Sequence, residues 1–256
     1  MKLVILAGGY GTRMSESTNL IPKPMVEVGG KPILWHIMKI YSQFGINEFI
    51  ICCGYKQYII KEYFANYFRH NSDLTVDLSD NSIQIHNNNS EKWKVTIVDT
   101  GLNTMTGGRI KRIQEYVGNE TFCLTYGDGV GNVNIAETIE LHKSSGKILS
   151  MTTYQPSGKL GVLDISEDGS LKSFKEKPEN SGSWINAGFF VCDPKLFNYL
   201  GGDTEMFERE PMQRLVDDNQ VNTYKHTDFW MPMDTLRDNQ VLNKMWDDNK
   251  ADWKVW

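Results

Sequence analysis

The run LAGGYGTRM at residues 6–14 sets three glycines, a threonine and an arginine directly behind the apolar KLVIL. Bare backbone N–H groups at Gly8, Gly9 and Gly11 can approach phosphate oxygens closely, and Arg13 adds a forked cation, which together describe a triphosphate cradle. The plainer alternative is a tight strand-to-helix turn with a surface arginine. Two commoner phosphate loops do not fit. A dinucleotide fingerprint needs a third glycine where Met14 stands, and a P-loop needs Lys-Ser or Lys-Thr where Thr12-Arg13 follows Gly11. Further on, IPKPM holds Lys23 between two prolines, each fixing its own φ and biasing the preceding residue toward an extended shape, so the amine hangs from a stiffened segment. Asp128 in LTYGDG ends an apolar strand, where open α/β sheets bind their ligands, although an Asp-Gly turn is the ordinary alternative. Asp234 in MPMDTLRD opens the last helical run, where it could equally be an N-cap, with Thr235 and Asp238 as a capping-box alternative.

The elements that must position these residues alternate between strand and helix through the first 155 residues, the pattern of a mostly parallel sheet flanked by helices. KLVILA is the first strand. ILWHIMKIYSQFG reads as a helix with Pro32 in its first turn and Gly45 at its C-terminal cap. EFIICCGY has the continuous apolar character of a strand buried on both faces. KEYFANYF sets Tyr63, Phe64, Tyr67 and Phe68 along one helical face, and the polar stretch 71–92 reads as an excursion of one or two edge strands. KVTIVD, a helix over GGRIKRIQEYVG, the strand TFCLTYGDG, a helix over NIAETIELHKSSG and the strand KILSMTTY complete the α/β part. Beyond residue 155 the chain is strand-rich, with a hairpin signal at Asp168-Gly169, the strand WINAGFFVCDP, helices at PKLFNYL and near Pro211, and a closing amphipathic helix TLRDNQVLNKMWDD. No linker separates the two parts, so the expectation is one Rossmann-like α/β domain with a mixed sheet, a nucleotide half over 1–155 and a strand-rich second half over 156–256.

A chain of 256 residues with 40% hydrophobic content can fill such a core, and a net charge of −5 argues against a nucleic-acid binder with a broad basic face. No apolar run suits a signal peptide or a membrane span. Four cysteines, at 52, 53, 123 and 192, lie in apolar runs without a CxxC, which suits reduced, buried thiols, and the five histidines show no HExxH. The expected setting is cytoplasmic, in which the sequons at Asn88 and Asn119 carry no meaning.

GGYGTRM followed by PKPMVEVGGKPILWHI resembles the nucleotidyltransferase family that makes nucleoside-diphosphate sugars, whose signature is GGxGTRL followed by a PKP-type lysine. The wider set PKPMVEVGGKPILWHIM, FIICCGY, KEYFANYF, TGGRIKRI, TYGDG and FWMPMDTLRD resembles those members that use CTP and glucose 1-phosphate, and it runs from the first strand to the last helix. The resemblance implies a magnesium-dependent (Mg2+) transfer of CMP from CTP to α-D-glucose 1-phosphate, giving CDP-glucose, a precursor of deoxysugars in surface polysaccharides such as lipopolysaccharide O-antigen. It implies that Leu6, Ala7, Gly8, Gly9, Gly11, Thr12, Arg13, Lys23, Thr104, Gly107, Arg109 and Gly127 meet the nucleotide, with Arg13, Lys23 and Asp128 acting in the reaction. Asp128 and Asp234 would hold the metal, and Glu176, Lys177, Asn186 and Gly188 the sugar phosphate. For Glu176-Lys177-Pro178 the plain alternative is a charged strand end, and for Arg109 a solvated helix arginine. Ile21 stands where relatives often carry a basic residue. A homo-oligomer is expected, without membrane or nucleic-acid partners. The rivals are a uridylyl- or thymidylyltransferase of the same fold, a glycosyltransferase, whose DxD is missing at 126–130, and an inactive nucleotide-sugar-binding subunit. Arg13, Lys23, Asp128, Lys177 and Asp234 together speak against the last.

Overall fold

The computed structural model describes residues 1–14, 20–156, 162–165, 171–175 and 183–256, with the backbone alone at Arg13, 162–165 and 171–175. A seven-stranded sheet organises them. In chain order its strands are β1 (Leu3–Ala7), β2 (Glu48–Cys53), β3 (Lys94–Asp99), β4 (Phe122–Tyr126), β5 (Leu149–Tyr154), β6 (Ile185–Cys192) and β7 (Val221–His226), and in space they lie β7-β5-β6-β4-β1-β2-β3. β1 is parallel to both of its neighbours, β2 and β4, while β6 runs antiparallel to β4 and β5. The chain moves from β1 out through β2 and β3, then returns to β4 on the other side of β1. The crevice at the carboxyl ends of β1 and β4 is therefore a topological switch point.

β1 shows why this order holds. Leu3, Ile5 and Ala7 point into one core, while Val4 and Leu6 point into the other, and all five are buried. The first core is covered by α1 (Ile33–Gln43), which enters after Pro32 and stops before Gly45 at φ +79, as the sequence predicts. The second is covered by α3 (Thr106–Arg112), α5 (Glu210–Asp217) and the 3-10 turn Pro194–Tyr199. The other helices of eight residues or more among the described residues are α2 (Gln57–Ala65), α4 (Ile135–Ser145) and α6 (Leu236–Asp247). Strands on both sides of residue 155 share one sheet, so the strand-rich part continues the α/β layer. All four cysteines are free and buried, and among the described residues no helix is long and apolar enough to cross a membrane.

Two expected helices are interrupted. The run over KEYFANYF breaks at Asn66, whose side-chain amide donates to the Glu62 carbonyl and competes with the helical ladder, leaving Tyr67–His70 as a separate turn. GGRIKRIQEYVG breaks at Ile113, which is fully buried and bonds back to Ile110 in a tighter turn before Gln114–Val117. The excursion at 71–92 is a hairpin of its own, Asp73–Asp77 against Ser82–His86, and adds no edge to the main sheet. Strands Val162–Ile165 and Leu171–Lys175 pair antiparallel, while the Asp168-Gly169 turn lies outside the described residues.

The C-terminal segment packs on α1. Trp253 is buried and its indole N–H donates to His36 Nδ1 at 3.3 Å, while His36 Nε2 donates to the Val28 carbonyl at 2.8 Å. Both ring nitrogens are thus engaged in the neutral form, and burial pushes the histidine down to about 4.

Candidate active site

The glycine loop leaves β1 at Gly8 and reaches a short 3-10 turn, Thr12–Met14, closed by the bond from Met14 N–H to the Gly11 carbonyl at 2.9 Å. A Cβ on Gly8 would fall 2.1 Å from the Arg109 guanidinium, so this glycine is required by close packing. A Cβ on Gly9 would meet nothing within 4 Å among the described residues, so none of them demands that glycine. Together with Gly11 and Thr12 they form one wall of a cavity of about 510 Å³ at the switch point. Leu6, Ala7, Lys23, Thr104, Arg109, Gly127, Asp128 and Asp234 line the same cavity.

Three charged groups converge there from distant segments. Lys23 Nζ lies 2.6 Å from Asp128 Oδ2 and 2.7 Å from Asp234 Oδ1. Burial alone would lower the lysine's pKa, but its pairing with the two carboxylates outweighs this and holds it above the ordinary value. The sequence predicts an extended lysine between prolines. The structure instead has Lys23 start a 3-10 turn, Lys23–Met25, stabilised by Met25 N–H to Pro22 O and Val26 N–H to Lys23 O. Those two bonds and the paired carboxylates override the bias that Pro24 exerts.

Asp128 follows β4 and Gly127. The short strand Gly129–Gly131 then pairs antiparallel with Trp230–Pro232, and Met233 N–H donates to the Asp128 carbonyl at 2.8 Å. This ladder delivers Asp234 beside Asp128. Thr235, the neighbour of Asp234, caps α6 in a full capping box with Asp238. Cap and acidic residue are therefore different side chains, and Asp234 is left to face Lys23.

Arg109 does something the sequence does not announce. It is 5% exposed. Its guanidinium donates to the carbonyls of Gly8 (3.0 Å), Cys53 (3.2 Å), Gly101 (2.7 Å) and Leu102 (3.3 Å) and to the Thr100 hydroxyl (2.8 Å). The fork is committed to four carbonyls and one hydroxyl, and ties the glycine loop to the ends of β2 and β3. Gly107 faces away from the cavity: its N–H donates to the Glu205 carbonyl, and a Cβ would meet that oxygen at 2.7 Å.

Asn186 and Gly188 stand behind Tyr126, which lines the cavity. Asn186 Oδ1 accepts from Gly188 N–H at 2.7 Å and Nδ2 donates to the Tyr126 hydroxyl at 3.4 Å. Glu176 and Lys177 lie outside the described residues, as does the side chain of Arg13. Sequence reasoning missed the opposite rim. Tyr126 and Thr106 both donate to Glu208, at 2.7 and 2.6 Å, and Met206 borders the cavity from the same irregular segment. Tyr10, inside the glycine motif, also went unassigned; its hydroxyl donates to Asn103 Oδ1 at 2.9 Å across the mouth.

Among the described residues no three His, Cys, Asp or Glu side chains gather as a metal cage. A pair of carboxylates suits a magnesium-type ion that takes its remaining ligands from substrate phosphates and water.

Comparison with known proteins gives the family and the fold. A family profile described as "Nucleotidyl transferase" matches residues 2–248. The chain is 52% identical over 257 aligned residues to "Glucose-1-phosphate cytidylyltransferase" of Salmonella typhi, and 48% identical over 258 to "Probable glucose-1-phosphate cytidylyltransferase" of Bacillus subtilis strain 168, each covering 100% of both chains. A solved UDP-glucose pyrophosphorylase bound to UDP-glucose superposes with a TM-score of 0.70 at 17% identity, covering 97% of this chain and 98% of that one, a likeness of fold.

Proposed function

The chain belongs to the nucleotidyl transferase family, and from that premise we propose that it joins CTP and α-D-glucose 1-phosphate to give CDP-glucose and pyrophosphate. The observation that carries this reading is the convergence of Lys23, Asp128 and Asp234 at the lip of the glycine-loop cavity. A phosphate oxygen of the sugar phosphate attacks the α-phosphorus of the triphosphate, the bond to the β-phosphate oxygen breaks, and pyrophosphate leaves. Both reactants are anions, so the reaction needs charge neutralisation and in-line positioning more than a strong base.

Gly8, Gly9, Gly11 and Thr12 wrap the phosphates, and the open side of Gly9 supports that role. Lys23 offsets phosphate charge. Asp128 and Asp234 would hold a divalent ion, magnesium being the natural choice for two carboxylates plus phosphate, and that ion would supply further neutralisation. The sugar half, residues 156–256, contributes Asn186 and Gly188 through Tyr126, and the resemblance to the family assigns Glu176 and Lys177 to the sugar phosphate. Cytosine as the base is supported by the 52% identity over the whole chain to a protein named for CTP chemistry.

The direct test offers CTP, UTP, dTTP, ATP and GTP in turn, each with glucose 1-phosphate and magnesium, and follows pyrophosphate release. CTP is expected to be preferred by at least about a hundredfold, since a site that bonds the exocyclic amine leaves an acceptor unpaired with the wrong base. Equal release with UTP would overturn the assignment of the base.

The protein acts as a homo-oligomer. Leu74, Val76, Ile83 and Ile85 share one face of the hairpin 73–86 and are all exposed. A lone two-stranded ribbon is marginal in water, and a second copy offers it the same neutral face. Val76→Lys with Ile83→Lys is expected to yield a smaller species by light scattering after gel filtration; an unchanged mass would remove the hairpin from the interface.

A further inference from the structure

Two ties hold the three charged groups in register, and they differ in kind. Asp234 is brought beside Asp128 by backbone, through the ladder of Trp230–Pro232 with Gly129–Gly131. Lys23 is fixed through the tight hairpin that follows it, Glu27–Val28 paired with Lys31–Pro32. That hairpin lies along α6, the helix that starts just after Asp234, and side chains make the connection. Asn239 Nδ2 donates to the Glu27 carbonyl at 2.8 Å. Asn243 Oδ1 accepts from Gly29 N–H at 2.9 Å, and its Nδ2 donates to the same Glu27 carbonyl at 3.3 Å.

The spacing suits the task. Asn239 and Asn243 are four residues apart and so share a helix face, and Trp246 extends that stripe by a further turn. Gly29, at φ +58, rests against Trp246 where a Cβ would meet the indole at 2.3 Å, so the hairpin lies flat on the helix. An asparagine amide carries both donors and an acceptor and can therefore bind a turn's N–H and C=O together, which no apolar or purely acidic residue can do. Asparagine is also an indifferent helix former, so helix propensity does not account for the pair.

We propose that Asn239 and Asn243 are positioning residues which set the reach of Lys23 onto Asp128 and Asp234 by pinning segment 27–29 to the last helix. The proposal rests on the reading of Lys23 as the residue that offsets phosphate charge. If the segment slides by about an ångström, the ammonium leaves one carboxylate, and a misplacement of that size can cost on the order of a hundredfold in rate.

The test reads Lys23 itself. Trace acylation with acetic anhydride, followed by peptide mass spectrometry, compares the labelling of Lys23 with that of the exposed Lys94 in the full-length protein. In the double variant Asn239→Ala/Asn243→Ala, folded by circular dichroism, Lys23 is expected to label at least about fivefold faster. Its kcat is expected to fall about 10- to 100-fold, with KM for CTP within about threefold of the parent. Asn239→Asp, which keeps the size but loses the donor to Glu27, is expected to act in the same direction. Asn243→Asp keeps only the acceptor for Gly29 N–H, loses its donors to the Glu27 and Asn239 carbonyls, and is expected to act in the same direction. Parental labelling in the folded double variant overturns the proposal. If the double variant does not fold, parental labelling of Lys23 in both folded aspartate variants overturns it. Faster labelling with unchanged kcat upholds the tie and instead removes Lys23 from the reaction, which separates the two claims.

Discussion

Lys23→Met is expected to turn over about 10³-fold more slowly at saturating CTP and glucose 1-phosphate, a loss of about 4 kcal/mol in transition-state stabilisation. Methionine keeps the unbranched stem and removes only the charge. What it leaves behind is a pair of carboxylates, Asp128 and Asp234, that now repel each other and the incoming phosphates without the ammonium that sat 2.6 and 2.7 Å from them. Because the pair holds the lysine's pKa above its ordinary value, the charge is present throughout the neutral range. Any stability it lends is complete at neutral pH and is lost only as pH rises through that raised value, so the variant's defect should not be mimicked by mild alkali. The measurement is steady-state pyrophosphate release, with circular dichroism to establish folding. Turnover within about tenfold of the parent would show that Lys23 does not act on the reacting phosphates.

The second large effect concerns Arg109, and it is one of stability. Arg109→Leu should destabilise the protein by about 2–4 kcal/mol, because the carbonyls of Gly101 and Leu102 lose a buried donor and the glycine loop loses its tie at Gly8. The cost is moderated by removal of a buried cation whose pKa is already lowered by desolvation. Arg109→Lys separates this role from a ligand-facing one. A lysine keeps the charge but has no planar fork to span acceptors on three segments, so it should melt almost as early as the leucine variant and bind CTP poorly. If Arg109→Lys melts like the parent and loses only nucleotide affinity, the guanidinium serves the ligand after all.

How much of this was legible in the sequence depends on what kind of fact each residue's role is. The mostly parallel, helix-flanked sheet follows from long apolar runs with helices between them, and the placement of Asp128 from a strand that stops at Gly127-Asp128. Both are local. Asp234 was ambiguous because Asp234, Thr235 and Asp238 offer two competing caps in five residues, and only the long-range bond to Lys23 decides between them. Arg109 illustrates the opposite limit. Its position near a helix start is plain, but spacing does not reveal that the side chain turns inward toward four carbonyls. Tyr126 was quoted within a strand motif and Glu208 not at all. Their bond joins the end of β4 to an irregular segment without periodicity, so nothing local brings them together.

The order of the strands also shapes how the protein is born. β1 leaves the ribosome first, apolar on both faces, yet its two neighbours are residues 48–53 and 122–126. Lys23 and Asp234 are 211 residues apart, an interval of roughly 10–40 s of synthesis at about 5–20 residues per second. Until residue 126 is made the central strand has at most one of its ladders, and throughout the interval the phosphate-handling charges are incomplete. A chain stopped before Asp234 thus carries the glycine loop, Lys23 and Asp128 without their second carboxylate.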